Sequence, residues 1–161
     1  MNHNAQTEEK LSVVMTEIMA PEMANFHGNV HGGHILKLLD RVAYVCASRY
    51  SGKYIVTLSV DQVIFKEPIH VGELVLFYAS VNFVGTTSME IGIKVIAENL
   101  FTGQRRHTNT SYFTMVGLDE RGKPTKIPPL SLQNELQKRR HEEAIIRKEA
   151  RLKIKNRQAK K

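Results

Sequence analysis

Apolar and polar positions change rhythm several times along the chain. Residues 11–19 (LSVVMTEIM) predict a short strand or extended entry, and residues 20–30 predict a loop. From 34 to 50 the apolar positions recur with helical spacing. With Gly33 at zero, Ile35, Leu36, Leu38, Leu39, Val42, Ala43, Val45, Cys46 and Ala47 fall between about 120° and 320° of the wheel. Gly33, His34, Lys37, Asp40, Arg41, Tyr44 and Ser48 share the remaining arc. So broad an apolar arc predicts a helix largely enclosed by a sheet rather than one lying on a surface. Four segments rich in β-branched and aromatic residues follow, at 54–65, 74–84, 88–100 and 104–118.

Short turn signals, Gly85-Thr86-Thr87 and 99–103, separate the last three of these segments, and DERGK at 119–123 marks a further turn. Tight connections mean antiparallel neighbours. The order is one strand, one long helix, then four strands read as a meander. That is an α+β layout with a helix packed on one antiparallel sheet. Near 126–130, KIPPL, two adjacent prolines stop regular structure and the composition changes. The division is a body over 1–130 and a helix-prone or disordered tail over 131–161.

Charge sharpens that division. The net charge is +7, yet the tail alone holds 11 Lys/Arg against 4 Glu and the body 12 basic against 12 acidic residues. A neutral body argues against nucleic acid as its partner. A single cysteine, Cys46, rules out a disulfide within one chain and fits a reducing compartment. The polar, acidic start MNHNAQTEEK lacks the n-region and apolar h-region of a secretory signal. No apolar run approaches the roughly 18 residues of a membrane span. The expectation is a cytoplasmic protein with one domain and a real core.

The candidate chemistry lies in HGNVHGGHILKLLD, residues 27–40. His27, His31 and His34 have a spacing that suits one helical face, but Gly28, Gly32 and Gly33 interrupt it, and neither CxxC nor HExxH is present. No metal is expected. The glycines form neither a P-loop nor a dinucleotide fingerprint. Glycines at a helix start instead leave backbone N–H groups uncovered, and with the helix dipole these favour developing negative charge, such as the oxyanion of an acyl group. A carboxylate such as Asp40 could then activate water. Two plainer readings stand beside this one: Gly32 and Gly33 permit close packing, and Asp40 sits on a solvated face. Asp40 shares the azimuth of Gly33 but lies roughly 10 Å further along the axis. One chain cannot bring both to one atom; two helices paired antiparallel by a two-fold axis could. There is no GxSxG elbow, and Cys46, in the middle of the apolar arc, reads as buried and inert.

Several further motifs stand in order: Asn29-Val30-His31-Gly32-Gly33, then Asp40 in KLLDRVA; Ile55-Val56-Thr57 before Ser59-Val60-Asp61; Phe65, Pro68 and Val71-Gly72-Glu73; Gly85-Thr86-Thr87-Ser88-Met89-Glu90; Gly103-Gln104-Arg105; Gly122-Lys123-Pro124 before Ile127-Pro128. Over roughly 15–130 the chain resembles the hotdog-fold acyl-CoA thioesterases, specifically the small bacterial acyl-CoA hydrolases and the cytosolic brain-type enzyme. The resemblance implies a long helix wrapped by an antiparallel sheet and a two-fold pair with sites at the subunit junction, in many members assembled further as a trimer of pairs. It implies hydrolysis of acyl-CoA to fatty acid and CoA without a cofactor. Asp40 would be the catalytic acid residue, acting as general base or as nucleophile. Asn29 would be its site partner, and Gly33 N–H the donor to the thioester carbonyl from the other subunit. His31, Gly32 and Thr57 fall within the substrate site. Thr86, Thr87 and Ser88 are candidates for CoA phosphate contacts, with Lys66, Arg105 and Arg106 behind them. Arg106-His107-Thr108 departs from the family's usual pattern after Gln104-Arg105, and the tail has no match in it.

The tail's apolar residues, Leu136, Ala144, Ile145, Ile146 and Leu152, are too few for a long helical core. The expectation is a solvated helix that frays; a basic arm for RNA or anionic lipid, or packing on a neighbouring subunit, are the other readings. The competing function is a non-catalytic acyl-CoA sensor with the tail as effector. A dehydratase is a third, against which the Asn29 and Asp40 pattern argues.

Overall fold

A computed structural model describes residues 10–159; the N-terminal stretch read for a signal lies almost wholly outside them. Strand β1 spans Ser12–Ile18 and a single 3-10 turn Pro21–Met23. Helix α1 runs Gly32–Ser51, followed by β2 Tyr54–Val60, β3 Leu74–Val84, β4 Ser88–Glu98, β5 Arg105–Leu118 and helix α2 Glu135–Gln158. One five-stranded sheet takes the order β1-β3-β4-β5-β2, antiparallel throughout. A long helix on a curled antiparallel sheet is the hotdog arrangement that the resemblance implies.

The meander is shorter than the sequence reading has it. Only β3, β4 and β5 follow one another; β2 joins the far side of β5 as an edge strand. The turns at 85–87 and 99–104 are tight and force neighbours to pair, whereas residues 61–73 between β2 and β3 are irregular and long enough to cross the sheet. The predicted strand 54–65 accordingly ends at Val60, where pairing with β5 stops.

Alternation along the strands sends Val75, Phe77, Ala79 and Val81, then Ile91, Ile93, Val95 and Ala97, then Phe113 and Met115 to one face. There they meet Ile35, Leu38, Leu39, Val42, Ala43, Cys46 and Ala47 of α1, all buried. At roughly 25 cal/mol per Å² this apolar burial is the main stabilising contribution. Burial also pushes the Cys46 thiol up to about 12, with Arg49 pulling weakly the other way. Helix α1 stops at Gly52, whose φ of 64° is left-handed backbone that glycine adopts without a Cβ penalty.

The tail differs from a solvated helix. Although most of α2 is exposed, it lies against the outer sheet face with Ala144 fully buried. Glu90, an outward position of β4, is 1% exposed. It receives Arg147 at 2.7 Å and Arg151 at 3.0 Å. Arg147 also stacks 3.6 Å above the Tyr112 ring. Burial works to lower the Arg147 pKa, but hydrogen bonds and attraction from Glu90 carry it above its ordinary value. Gly92 is matched to this face: a Cβ there would run into the Asn82 side chain, which a bulge in β3 between Val81 and Phe83 presents. Among the described residues no helix is long and apolar enough to cross a membrane.

Candidate active site

The loop before α1 is built on Asn25. Its Oδ1 accepts the backbone N–H of His27 at 2.9 Å and of Asn29 at 3.2 Å, and its own N–H donates to Asn29 O at 2.6 Å. These bonds close a turn through Gly28, whose φ is 80°. Asn29 is held from the opposite side: its Oδ1 lies 2.9 Å from His70 Nδ1, and the two residues form an isolated bridge. Val30 N–H donates to Ile69 O at 2.8 Å and His31 N–H to Met23 O at 2.8 Å, so the loop meets the helix at a fixed angle.

Helix α1 opens with His31 as its N-cap. His31 Nδ1 accepts the Gly33 N–H at 2.9 Å. That modifies the expectation of an open donor at Gly33, because the imidazole already occupies it. The same closeness requires glycine, since a Cβ at Gly33 would sit 3.0 Å from His31 Nδ1. Gly32 packs beside the Phe65 ring, with its N–H free of an acceptor among the described residues.

Two turns on, the Asp40 carboxylate is exposed and accepts the Thr57 hydroxyl at 2.6 Å. The register of β2 against β5 slips between Thr57 and Ser59. This bulge turns Leu58 out to solvent, while Thr57 faces the helix. Asp40 lines a cavity of about 420 Å³ with Leu36, Val60, Asp61, Val63, Phe65 and Phe113. Leu36, placed in the buried arc by the wheel, is 39% exposed because it faces this cavity. An acceptor-oriented carboxylate at an apolar cavity suits activation of water beside an acyl chain. Gly33 and Asp40 remain two helical turns apart, roughly 10 Å, so one chain does not bring them together.

The predicted CoA contacts divide. Thr86, Thr87 and Ser88 form the β3–β4 turn, braced by Gly85 N–H to Ser88 O at 2.7 Å, Gly117 N–H to Thr87 O at 3.0 Å and Ile127 N–H to Thr86 O at 3.0 Å. Thr86 borders a second cavity, of about 520 Å³, beside Lys126 and His141. Lys66 is exposed, and its backbone N–H ties the loop to Thr108 O at 2.9 Å. Arg105 pairs with Glu98 at 2.7 Å. Arg106 binds both oxygens of the buried Glu73, at 2.6 and 2.7 Å, and donates to Pro68 O at 2.9 Å. Its guanidinium is occupied in holding residues 67–73. Asn25, Lys126 and His141 went unmarked in the sequence reading. For Asn25 the signal was present: Asn before a glycine turn, able to bond its own backbone two residues on.

The model of the thioesterase superfamily matches residues 27–100. Protein VdlD of Helicobacter pylori is 50% identical over 90% of this chain and 83% of its own length. The uncharacterized acyl-CoA thioester hydrolase YkhA of Bacillus subtilis is 37% identical over 84% of this chain and 78% of its own. A hexameric acyl-CoA thioesterase superposes with a TM-score of 0.87 at 37% identity, covering 90% of this chain and 93% of that one. An acyl-CoA hydrolase from Staphylococcus aureus, solved in complex with butyryl-coenzyme A, coenzyme A and coenzyme A disulfide, superposes at 0.84 with 28% identity, over 95% of this chain and 94% of that one. The same hydrolase has been solved as alanine variants of an asparagine, an aspartate 15 residues later and a threonine 17 residues after that.

Proposed function

The chain belongs to the thioesterase superfamily, and from that premise we propose that it hydrolyses acyl-CoA thioesters at a site completed by two copies of the chain, with Asp40 as general base. The observation that carries this is the Asp40 carboxylate, oriented by Thr57 at 2.6 Å and opening on an apolar cavity. The intervals of 15 and 17 residues seen in the Staphylococcus aureus hydrolase fall here on Asn25, Asp40 and Thr57. Asn25 therefore takes the site-partner role that the motif reading assigned to Asn29. Its Oδ1 is engaged in the turn and its amide N–H groups remain to donate, whereas Asn29 Oδ1 is engaged by His70.

In the reaction, acyl-CoA lies across the junction of two subunits, with the acyl chain in the cavity lined by Leu36, Phe65 and Phe113. The thioester carbonyl takes the place of His31 Nδ1 as acceptor of the Gly33 N–H at the helix N-terminus. Asp40 of the other subunit removes a proton from water, and Asn25 orients that water or the substrate. Hydroxide attacks the carbonyl carbon, the oxyanion forms against the backbone N–H, and the C–S bond breaks. CoA leaves as a thiolate and recovers the proton, so no strong acid and no cofactor is needed. Thr86, Thr87 and Ser88, with Lys126, His141 and Lys66, contact the phosphates; Arg106 does not, being committed to Glu73. The hexameric relative supports a homo-oligomer built from such pairs. We place the enzyme in the cytoplasm, on its buried free thiol and the relatives named cytosolic. Residues 1–130 carry the catalytic groups, and 131–161 are an appended element that adds His141 to the phosphate contacts.

The test is CoA thiol release from a panel of acyl-CoAs by the wild type and Asp40→Ala. The expected result is turnover that falls at least ~100-fold in the variant at unchanged melting temperature. Binding of acyl-CoA without release by the wild type would replace this reading with the sensor.

A further inference from the structure

Helix α2 crosses the outer sheet face in strand order. Arg140 donates to Ser80 Oγ on β3 at 3.2 Å, and the His141 ring lies 5.5 Å from that of Phe83 on the same strand. Arg147 then reaches Glu90 on β4 and the Tyr112 ring on β5. Arg151 makes the last contact, at 2.7 Å to Asp61, the residue just past the end of β2. The sheet runs β3-β4-β5-β2, so the helix leaves it at the free β2 edge. Residues 152–158 continue for about 10 Å, the width of about two strands. All of them are exposed, and among the described residues none of their side chains hydrogen-bonds or ion-pairs with the body.

The overhanging end keeps the character of a docked surface. With Arg151 at zero on the wheel, the docked residues Ala144 and Arg147 fall at about 20° and −40°. Ile154 falls at about −60°, Lys155 at about 40° and Leu152 at about 100°. The face that meets the sheet therefore runs on past the edge, with Ile154 and Leu152 58% and 49% exposed on either side of a lysine. The edge strand offers a matching surface. Ile55 and Thr57 face α1, so Tyr54 and Leu58 point to the side on which α2 lies, 64% and 67% exposed. The helix of the same chain leaves both uncovered. Arm and strand are two halves of a self-complementary contact: under a two-fold axis the arm of each chain lies on the strand of the other.

We propose that residues 152–158 are an interchain arm: the last two turns of α2 cross the open β2 edge and pack Leu152 and Ile154 on the partner's Tyr54 and Leu58. The occupant is a second copy of this chain. The inference rests on the reading that two copies meet at the cavity beside β2, and it extends that junction onto the outer sheet face. Lys153 and Arg157 fall on the far side of the helix, where solvated charges contribute little to the contact.

The experiment compares full-length wild type, Leu152→Asp with Ile154→Asp, and Lys153→Gln with Arg157→Gln. Sedimentation velocity over a dilution series gives the concentration at which the assembly dissociates. Hydrogen exchange gives the protection of amides 152–158 in the assembled protein. The apolar variant is expected to dissociate at a concentration at least ~100-fold higher than wild type, because four side chains leave each junction. The neutralised variant is expected to stay within about threefold of wild type. Amides 152–158 are expected to be protected in assembled wild type and to exchange as a free helix end in the apolar variant. An unprotected arm in assembled wild type overturns the proposal. So does an apolar variant that associates like wild type; retention of wild type, but not of the neutralised variant, on RNA or anionic vesicles would then give the arm to that partner. Neither readout needs turnover. A wild type that pairs with a protected arm but releases no CoA overturns the hydrolysis and leaves the arm standing, whereas a wild type monomeric at every concentration overturns the two-copy site and the arm together.

Discussion

Asp61 pairs with Arg151 of α2 and lines the cavity beside α1, and so stands between two differently finished regions. On the α2 side the charges at the sheet face are paired within the chain: Glu90 is buried between two arginines, Arg151 also holds Asp61, Arg147 covers Tyr112, and Lys148 sits 4.5 Å over the Phe83 ring. On the α1 side the cavity is open, and Leu58, Val60, Ile64 and Phe65 are exposed along the edge strand and the segment after it. Such an edge is what a soluble protein normally blunts or covers. The contrast separates what one chain completes from what it leaves for another. Ion pairs finish the outer face, whereas the cavity face carries a carboxylate oriented by Thr57, with Gly33 two helical turns away in the same chain.

That contrast can be broken at the finished side first. Arg106→Ala removes the cation from buried Glu73 and should cost roughly 3 kcal/mol of stability, read by urea unfolding. If Arg106 instead held CoA phosphate, KM would rise and stability would hold. At the open side, Thr57→Val keeps the shape but removes the hydroxyl from Asp40, and kcat should fall about tenfold with little change in KM. An unchanged kcat would mean that Asp40 needs no orientation.

The smallest effect belongs to the core behind both faces. The Cys46 thiol is pushed up to about 12 when folded, against an ordinary 9.0. A group raised by folding stabilises fully below its unfolded pKa and loses that contribution as pH climbs towards the folded value. Stability should therefore fall by about 1 kcal/mol between pH 9 and pH 10 through this group. Cys46→Ala should flatten that part of the alkaline slope. An unchanged slope would mean that the thiol ionises with little hindrance in the fold.

How far these regions were legible in the sequence follows the kind of force that builds each one. The extent of α1 was predicted closely, and so were the strand segments, because burial of one face writes a period into the chain. Leu36 departs from its arc for the complementary reason: a ligand cavity wants apolar residues where water can reach them. The edge position of β2 was not readable, since an irregular connection leaves the choice of neighbour open. Docking of α2 was hidden because it depends on arginines finding Glu90 and Asp61, and long-range ion pairs leave no periodic trace. At the site, Asp40 and Thr57 were both marked as candidates from the resemblance, and the structure joins them by a 2.6 Å hydrogen bond that the sequence reading did not state. The pairing of Arg106 with Glu73 was not legible, because a basic residue in a sequence looks the same whether its anion is a substrate phosphate or a buried carboxylate. His31 as the cap of Gly33 was equally hidden, histidine being outside the usual capping set.

The central claim is that two chains complete one site, and subunit mixing tests it most directly. Asp40→Ala and Asn25→Ala proteins, each nearly inactive, are dissociated, combined in equal amounts and reassembled. In a mixed pair one of the two junctions recovers an intact Asp40 facing an intact Asn25. The account predicts return of about a quarter of wild-type hydrolysis on random pairing. Continued inactivity in a verified mixed assembly would contradict it and place the whole site within one chain.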